Sequence, residues 1–336
     1  MASDKKLRFP AKLYFRILAL FLGFLLELEK ELRCNAFLHS IPNPFLRIAS
    51  KIAYLPVAAV RIVFFHPINL TQLGLIVTTH CSLNCLHCCD WIPYIKERKH
   101  FPLSDLLADI DSAAAVVDKI YNFDIFGGEP LLRKDISEIA NHASAKPNIN
   151  HVRIITNGTL LPSESVLSAL KKDKLVFRIS DYGEYSNKIH ELKKLLDKHN
   201  IPYQVYELSA WSDLGPPLNR KYTREELHRS LSHCFKRECN DLFGGAIYPC
   251  ANVHTGILIG AIPDNPSDYV NIRRCGTPDA IKEARRNLRC MLKKPLYTAC
   301  CYCSGSDPDF PEIPVAEQIP LNSYIDFKSG EIKKRY

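Results

Sequence analysis

Leu73-Gly74-Leu75-Ile76-Val77-Thr78-Thr79-His80-Cys81-Ser82-Leu83-Asn84-Cys85-Leu86-His87-Cys88 joins a short apolar run to three cysteines within eight residues. The run Leu73–Thr79 reads as a buried strand, being continuous, apolar and rich in β-branched residues. Outward from it the chain alternates. Helical spacing predicts a helix over Ser104–Ile120, with Ser104 as N-cap and Leu106, Leu107, Ile110, Ala114 and Val117 on one face. Further strands are predicted over Asn122–Phe126, Val152–Thr156, Leu175–Ser180 and Tyr203–Leu208, separated by helices over Lys134–Ser144, Ser163–Lys171 and Ser186–Lys198. Strands separated by helices with short loops imply parallel βαβ units and right-handed crossovers.

In such folds chemistry gathers at the C-terminal ends of the strands. Cys81 follows the first strand, Gly127-Gly128-Glu129 the second, Thr156-Asn157-Gly158 the third and Ser180-Asp181 the fourth. Periodicity alone locates these loops, and chemically distinctive residues fill them in turn. That coincidence is the argument for a site.

Cys81, Cys85 and Cys88 form a C-x3-C-x2-C set. A structural zinc site wants four closed ligands, commonly paired C-x2-C units, and a cubane iron–sulfur cluster normally takes four cysteines too. Three local cysteines suit a 4Fe–4S cluster that keeps one iron open. Cys89 immediately follows Cys88 and is poorly placed to reach the same cubane. Spacing leaves both iron–sulfur and zinc open.

The loop resembles the signature of the radical S-adenosylmethionine (SAM) superfamily, C-x3-C-x-φ-C, with His87 at the φ position that lies against adenine. Gly127-Gly128-Glu129-Pro130 resembles the GGE motif, whose backbone and acidic side chain hold the methionine amino group. The glycines there are expected to let backbone approach a ligand closely. Thr156-Asn157-Gly158 is similar to the family's TNG, and Ser180 matches more loosely a position that contacts ribose or carboxylate. The resemblance runs from Gln72 to Leu208. It implies a partial (β/α)6 TIM-like barrel, open on one side. It also implies a 4Fe–4S cluster on Cys81, Cys85 and Cys88, whose open iron chelates SAM. One electron then cleaves SAM to a 5′-deoxyadenosyl radical that abstracts a substrate hydrogen. A low-potential donor such as flavodoxin or ferredoxin is implied with it.

Beyond Leu208 the alternation stops. Cys234-x4-Cys239-x5-Gly245-x4-Cys250 and Cys300-Cys301-x-Cys303 make a second cysteine-rich segment. It resembles the shortened auxiliary-cluster domain called twitch, related to SPASM, which opens with C-x9–15-G-x4-C and ends with C-x2-C. Cys234 has the opening spacing and Cys239 does not. The resemblance therefore implies one auxiliary 4Fe–4S cluster on Cys234, Cys250, Cys300 and Cys303, against the alternative of a zinc ribbon-like site. Cys34, Cys89, Cys239, Cys275, Cys290 and Cys301 remain, and any of them could serve as a hydrogen-atom donor. Trp211 and Asp213-Leu214-Gly215 are candidates for shaping a substrate cavity.

Composition sets the frame. The chain has 336 residues, 46% hydrophobic and 24% charged, which is globular and ample for a core. The net charge of +8 is concentrated in residues 1–70, which hold ten Lys/Arg against four Asp/Glu. The near-neutral remainder is a poor match for a nucleic-acid binder. Thirteen clustered cysteines in so long a chain read as metal ligands in a reducing compartment, giving a cytoplasmic expectation. A helix is predicted over Ala11–Arg33, with Lys12, Arg16, Gly23, Glu27 and Lys30 on one stripe. Its uncharged run, Ile17–Leu26, is too short to span a bilayer and lacks a cleavage site, so it either packs on the body or rests on a membrane. A second apolar stretch, Ile52–Phe65, is interrupted by Pro56 and Arg61.

The expected organisation is an N-terminal helical extension (1–70), the core (71–210), a linker (211–233), the auxiliary-cluster domain (234–305) and an irregular Pro-containing tail (306–336). The leading expectation is an oxidoreductase that dehydrogenates a sugar, cyclitol or peptide. Epimerisation with a cysteine donor is the alternative, and a metal-binding module without catalysis is disfavoured. A membrane-resting helix would make a lipid-linked substrate attractive. There is no P-loop, H-E-x-x-H, G-x-S-x-G or G-x-G-x-x-G motif.

Overall fold

The computed structural model describes residues 11–35, 38, 41–273, 275–305 and 312–335, with side chains from residue 21 onward. It divides into two units, residues 1–69 and 70–336.

The first unit contains α1 (Ala11–Arg33) and α2 (Pro44–Val60), the latter running into a π-helical turn at Arg61–Phe65. Helix α1 has the bounds its periodicity predicts, although the side chains of Lys12 and Arg16 lie outside the described residues. Asn43 caps α2 by accepting from the Phe45 and Leu46 N–H groups, and Pro44 opens it, a position where no backbone donor is lost. Glu31 of α1 is fully buried, with Tyr54 Oη at 2.9 Å, the Arg61 guanidinium at 2.9 Å and the Asn69 amide against it.

The second unit is built on an eight-stranded sheet. Strands β1 (Asn69–Thr78), β2 (Lys119–Gly127), β3 (Ile149–Thr156), β4 (Leu175–Asp181) and β5 (Tyr203–Glu207) alternate with α3 (Leu103–Val116), α4 (Ile136–Ser144), α5 (Glu164–Ala169) and α6 (Ile189–Lys198). β6 (Ala210–Ser212) is short and lies outside this sheet. Then come α7 (Arg224–Ser232), β7 (Cys239–Phe243), β8 (Ala246–Tyr248), α8 (Ala251–Leu258), β9 (Val270–Asn271) and α9 (Pro278–Leu292). The sheet order is β5-β4-β3-β2-β1-β7-β8-β9. β2 through β5 pair in parallel, as do β1 and β7, while β8 and β9 are antiparallel additions. A mostly parallel sheet with an outer row of packed helices and two free edges is the expected open, partial (β/α)6 arrangement.

The core is where the apolar pattern puts it. Leu73, Leu75 and Val77 of β1, Phe123 and Ile125 of β2, and Phe177 and Ile179 of β4 are buried with Ile110, Ile139 and Leu192 of the helices. Fully burying such a side chain is worth about 1.5–3 kcal/mol. Helix α3 begins at Leu103 behind Pro102, not at a Ser104 cap, and ends at Val116 because Val117 is already extended.

Three expectations change. The sixth parallel strand is β7, from the segment assigned to the auxiliary domain, so that segment contributes β7, β8 and β9 to the core sheet. The linker over 211–233 includes β6 and α7, which is closed by a Thr223/Glu226 capping box. The described part of the tail, from residue 312, forms β10 (Glu312–Pro314), which pairs with β6, and the hairpin β11 (Ser323–Ile325) and β12 (Ile332–Lys334). Main-chain pairing, invisible in a Pro-rich composition, supplies that order.

Candidate iron–sulfur and SAM site

The loop after β1 is closed at its base by Thr79, whose N–H donates to Lys99 O (2.9 Å) and whose hydroxyl accepts from Lys99 N (2.8 Å). Inside it, Cys88 N donates to Cys85 O and Trp91 N to Cys88 O, a pair of tight turns that brings the cysteines onto one side. The tail straps the loop from outside. Leu86 N donates to Glu317 O, Ile319 N to Asn84 O, and Asn84 Nδ2 to Pro320 O (2.8 Å) and Ser323 O (3.0 Å). Two side chains donate to ligand sulfurs: Gln318 Nε2 to Cys85 Sγ at 3.2 Å and Asn157 Nδ2 to Cys81 Sγ at 3.7 Å. Asn157 also donates to Ser82 Oγ at 3.1 Å, so it orients the cysteine loop.

Burial pushes the Cys81 thiol up to about 12, with Glu129 adding to it, and holds Cys88 well above its ordinary value. Burial also raises Cys85, against the Gln318 hydrogen bond. Thiols this desolvated ionise only with a compensating cation, such as iron. Arg98, part-buried and hydrogen-bonded to Asn84 Oδ1 at 2.5 Å, is a positive side chain near enough to interact with all three.

The three cysteines line a cavity of about 420 Å³ at the strand ends, together with Gly127, Gly128, Asn157 and Ser180, all expected there. Arg178, Tyr182, Trp211, Lys236 and Asp241 complete its polar and aromatic wall. Arg178 stacks on Tyr206 (4.3 Å), and its buried Nε has no hydrogen-bond partner, an orphan donor beside Ser180 on the same strand. Tyr182 meets Trp211 edge-on at 5.3 Å.

Gly127, Gly128 and Glu129 also have roles within the fold itself. A Cβ at Gly127 would lie 2.2 Å from Thr78 O, and one at Gly128 2.0 Å from His80 O. These glycines therefore allow the turn to press against the end of β1 while lining the cavity. Glu129 is fully buried and absent from the cavity wall. Its carboxylate accepts from Leu131 N (3.0 Å), Asn157 N (2.9 Å) and the Thr156 hydroxyl, tying β2 to β3. His87 faces a neighbouring cavity of about 380 Å³, shared with Cys88, Trp91, Asp213, Leu214 and Gly215. There its ring lies 3.6 Å from Asp213 and 3.8 Å from Glu317.

The second cysteine set also comes together. Cys250 lies near enough to Cys300 and Cys303 to feel their charge, and Cys300 and Cys303 both feel Cys234. Cys250 is the N-cap of α8, Tyr297 N donates to Cys300 Sγ (3.4 Å), and Gly305 N donates to Cys303 Sγ (3.3 Å). N–H groups on sulfur suit thiolate ligands of an iron–sulfur cluster. Gly245 has φ +84°, and a Cβ there would strike Arg273, whose guanidinium grips buried Asp109 at 2.8 and 2.9 Å. Among the described residues no three Cys, His, Asp or Glu side chains converge on a single ion. A cubane, with its ligands at separate corners, fits both all-sulfur sets better than zinc does.

Arg98, Gln318, Arg178 and Lys236 carry no motif. Only the fold brings Gln318, 233 residues away, onto Cys85.

An open parallel barrel with a three-thiol loop at its strand mouths defines an iron–sulfur enzyme class. Residues 75–206 match the family model of the radical SAM superfamily, so this segment is a radical SAM domain, of a family that uses a 4Fe–4S cluster and SAM. GTP 3′,8-cyclase of Clostridium acetobutylicum is 37% identical over 99 residues, 29% of this chain and 30% of that one. Molybdenum cofactor biosynthesis protein moc-5 of Caenorhabditis elegans is 36% identical over 94 residues, 27% and 15% of the two chains. The chain thus spans at most about a third of the length of these curated relatives. Among solved structures, BtrN in complex with AdoMet and 2-DOIA has a TM-score of 0.42 at 16% identity, covering 70% of this chain and 94% of that one. Native anSMEcpe with AdoMet and the Cp18Cys peptide has a TM-score of 0.42 at 14% identity, covering 77% and 95%.

Proposed function

We propose that this radical SAM enzyme oxidises its substrate by two electrons, one leaving in the hydrogen atom taken by the 5′-deoxyadenosyl radical and the other, with loss of a proton, going to a second 4Fe–4S cluster that Cys234, Cys250, Cys300 and Cys303 would hold. The observation that carries this reading is adjacency. Phe235, Lys236 and Ala251, next to Cys234 and Cys250, belong to the wall of the cavity that holds Cys81, Cys85 and Cys88. Lys236 Nζ bridges the two sites, donating to Cys89 O (2.7 Å), Asp90 Oδ1 (2.9 Å) and Asn252 Oδ1 (3.1 Å).

When bound, the first cluster supplies the electron that cleaves SAM. The chain's own residues do the rest. Asn157 and Gln318 orient the ligand sulfurs, Arg178 and Ser180 offer donors to a carboxylate or ribose, and Tyr182 and Trp211 close the cavity against water. Substrate class stays within sugars, cyclitols and peptides, with a flavodoxin- or ferredoxin-like donor. The cyclisation named for the curated relatives is a further candidate reaction.

A second reading, epimerisation, is favoured by one specific feature. Cys239 lines the cavity outside both ligand sets, and burial, aided by Asp241, pushes its thiol up to about 12. That keeps it as S–H, the form a hydrogen-atom donor needs. The test is the mass of product from the anaerobically reconstituted enzyme with SAM and dithionite. A two-unit loss supports oxidation. Unchanged mass in light water, with solvent deuterium incorporated by wild type and not by Cys239→Ala, supports epimerisation. Failure to form any 5′-deoxyadenosine would sink both.

A further inference from the structure

We propose that the α1–α2 unit docks in the surface of an anionic lipid bilayer through the outer face of α2, a property beyond the reaction proposed above. The face is made by Phe45, Leu46, Ile48, Ile52, Val57 and Val60, every one of them at least half exposed. The π-helical turn extends it with Val63, Phe64 and Phe65, the last two 73% and 70% exposed. Ala49, Ala53 and Pro56 fill the gaps, so the outward face carries no charged residue.

The polar residues of the same helix are the covered ones. Arg47 donates from Nε to Ile41 O (2.9 Å), Tyr54 donates to Glu31, and Arg61 pairs with Glu31 at 2.9 Å. Ser50 and Lys51 lie on this half-covered side too. A helix of a water-soluble protein turns its apolar face inward. Here the distribution is reversed and fixed by a buried carboxylate. Exposed apolar patches of this extent mark interaction sites. α1 adds Phe21, Leu22, Leu25 and Leu26, all exposed.

Charge selects the occupant. Residues 1–70 carry ten Lys/Arg against four Asp/Glu, within a chain otherwise close to neutral. An apolar face on a segment whose sequence carries excess positive charge is complementary to anionic headgroups over acyl chains. The 22-residue segment Pro44–Phe65 is long and apolar enough to cross a bilayer by length and composition. Arg47, Lys51 and Arg61 are nonetheless distributed along its whole length, and a charged group at the bilayer centre is costly. An in-plane position keeps those charges out of the acyl chains.

The test is flotation of the full-length, reconstituted protein with phosphatidylcholine vesicles, with and without phosphatidylglycerol. The wild type is expected to float with the anionic vesicles, less so at high salt. Phe64→Glu/Phe65→Glu should lower the bound-to-free ratio at least roughly tenfold while leaving iron content and melting temperature unchanged. Three results would overturn the proposal. One is wild type that stays at the bottom of the gradient. Another is a dimer in solution that the double variant dissolves, which would make a second copy the occupant. The third is membrane-bound protein that alkaline carbonate fails to release, which would mean a span.

Discussion

Glu129 is fully buried where the ends of β2 and β3 meet. The resemblance implies that it helps to hold the SAM amino group, and in the structure its carboxylate also holds the main chain of Leu131 and Asn157 together. Burial raises its pKa from 4.5 to about 7. A carboxyl raised in the folded state contributes stability that is full below pH 4.5 and is lost as pH rises through about 7. Glutamine cannot titrate, so the deficit of iron-free Glu129→Gln relative to wild type should shrink between about pH 4 and pH 8. The narrowing should be on the order of 3 kcal/mol by urea denaturation; a pH-independent gap would contradict the carboxylate's burial. Gln318 is the converse case, a residue with no motif and a direct contact. Its amide on Cys85 is expected to slow ligand loss, so Gln318→Ala should surrender iron to a chelator about tenfold faster. The cysteines were legible because spacing within one loop survives in one dimension. Gln318, Arg98 and Arg178 were not, since a lone Gln or Arg has no pattern until folding gives it a neighbour.

At the scale of elements, periodicity located all five strands from β1 to β5, and the helices between them, to within a few residues at most boundaries, because apolar alternation records burial directly. It missed β7, whose Cys-Asn-Asp-Leu-Phe sequence is short and polar, and which is a strand because β1 offers it a parallel edge. Helix α7 was legible in the Thr223-x-x-Glu226 pattern, although the polar composition around it reads as a linker. Neighbouring strands are also coupled by charge. Asp124 of β2 is fully buried against Arg153 of β3, at 2.5 and 2.7 Å. Removing one partner of such a pair strands the other, so Arg153→Ala should cost about 3–5 kcal/mol in chemical denaturation. Arg153→Met/Asp124→Leu should recover most of it. A loss below about 1 kcal/mol for the single variant would show the pair to be solvated.

For the whole molecule, the consequence of β7 is that the cysteine-rich segment completes the sheet as well as holding ligands. A chain ending at residue 233 loses the strand that pairs with Gln72–Leu75 and leaves that edge of β1 bare. It is expected to be insoluble or to unfold without cooperativity, and a sharp thermal transition from it would show the core to be independent. The central claim is that two cysteine sets, each with its own hydrogen-bonded sulfurs, serve one cavity. The most direct measurement is iron and sulfide per chain after anaerobic reconstitution of the wild type and of Cys81→Ala/Cys85→Ala/Cys88→Ala. About eight irons falling to about four is expected, one cubane lost and one kept. A fall from about four to none would contradict it, leaving Cys234, Cys250, Cys300 and Cys303 without a cluster.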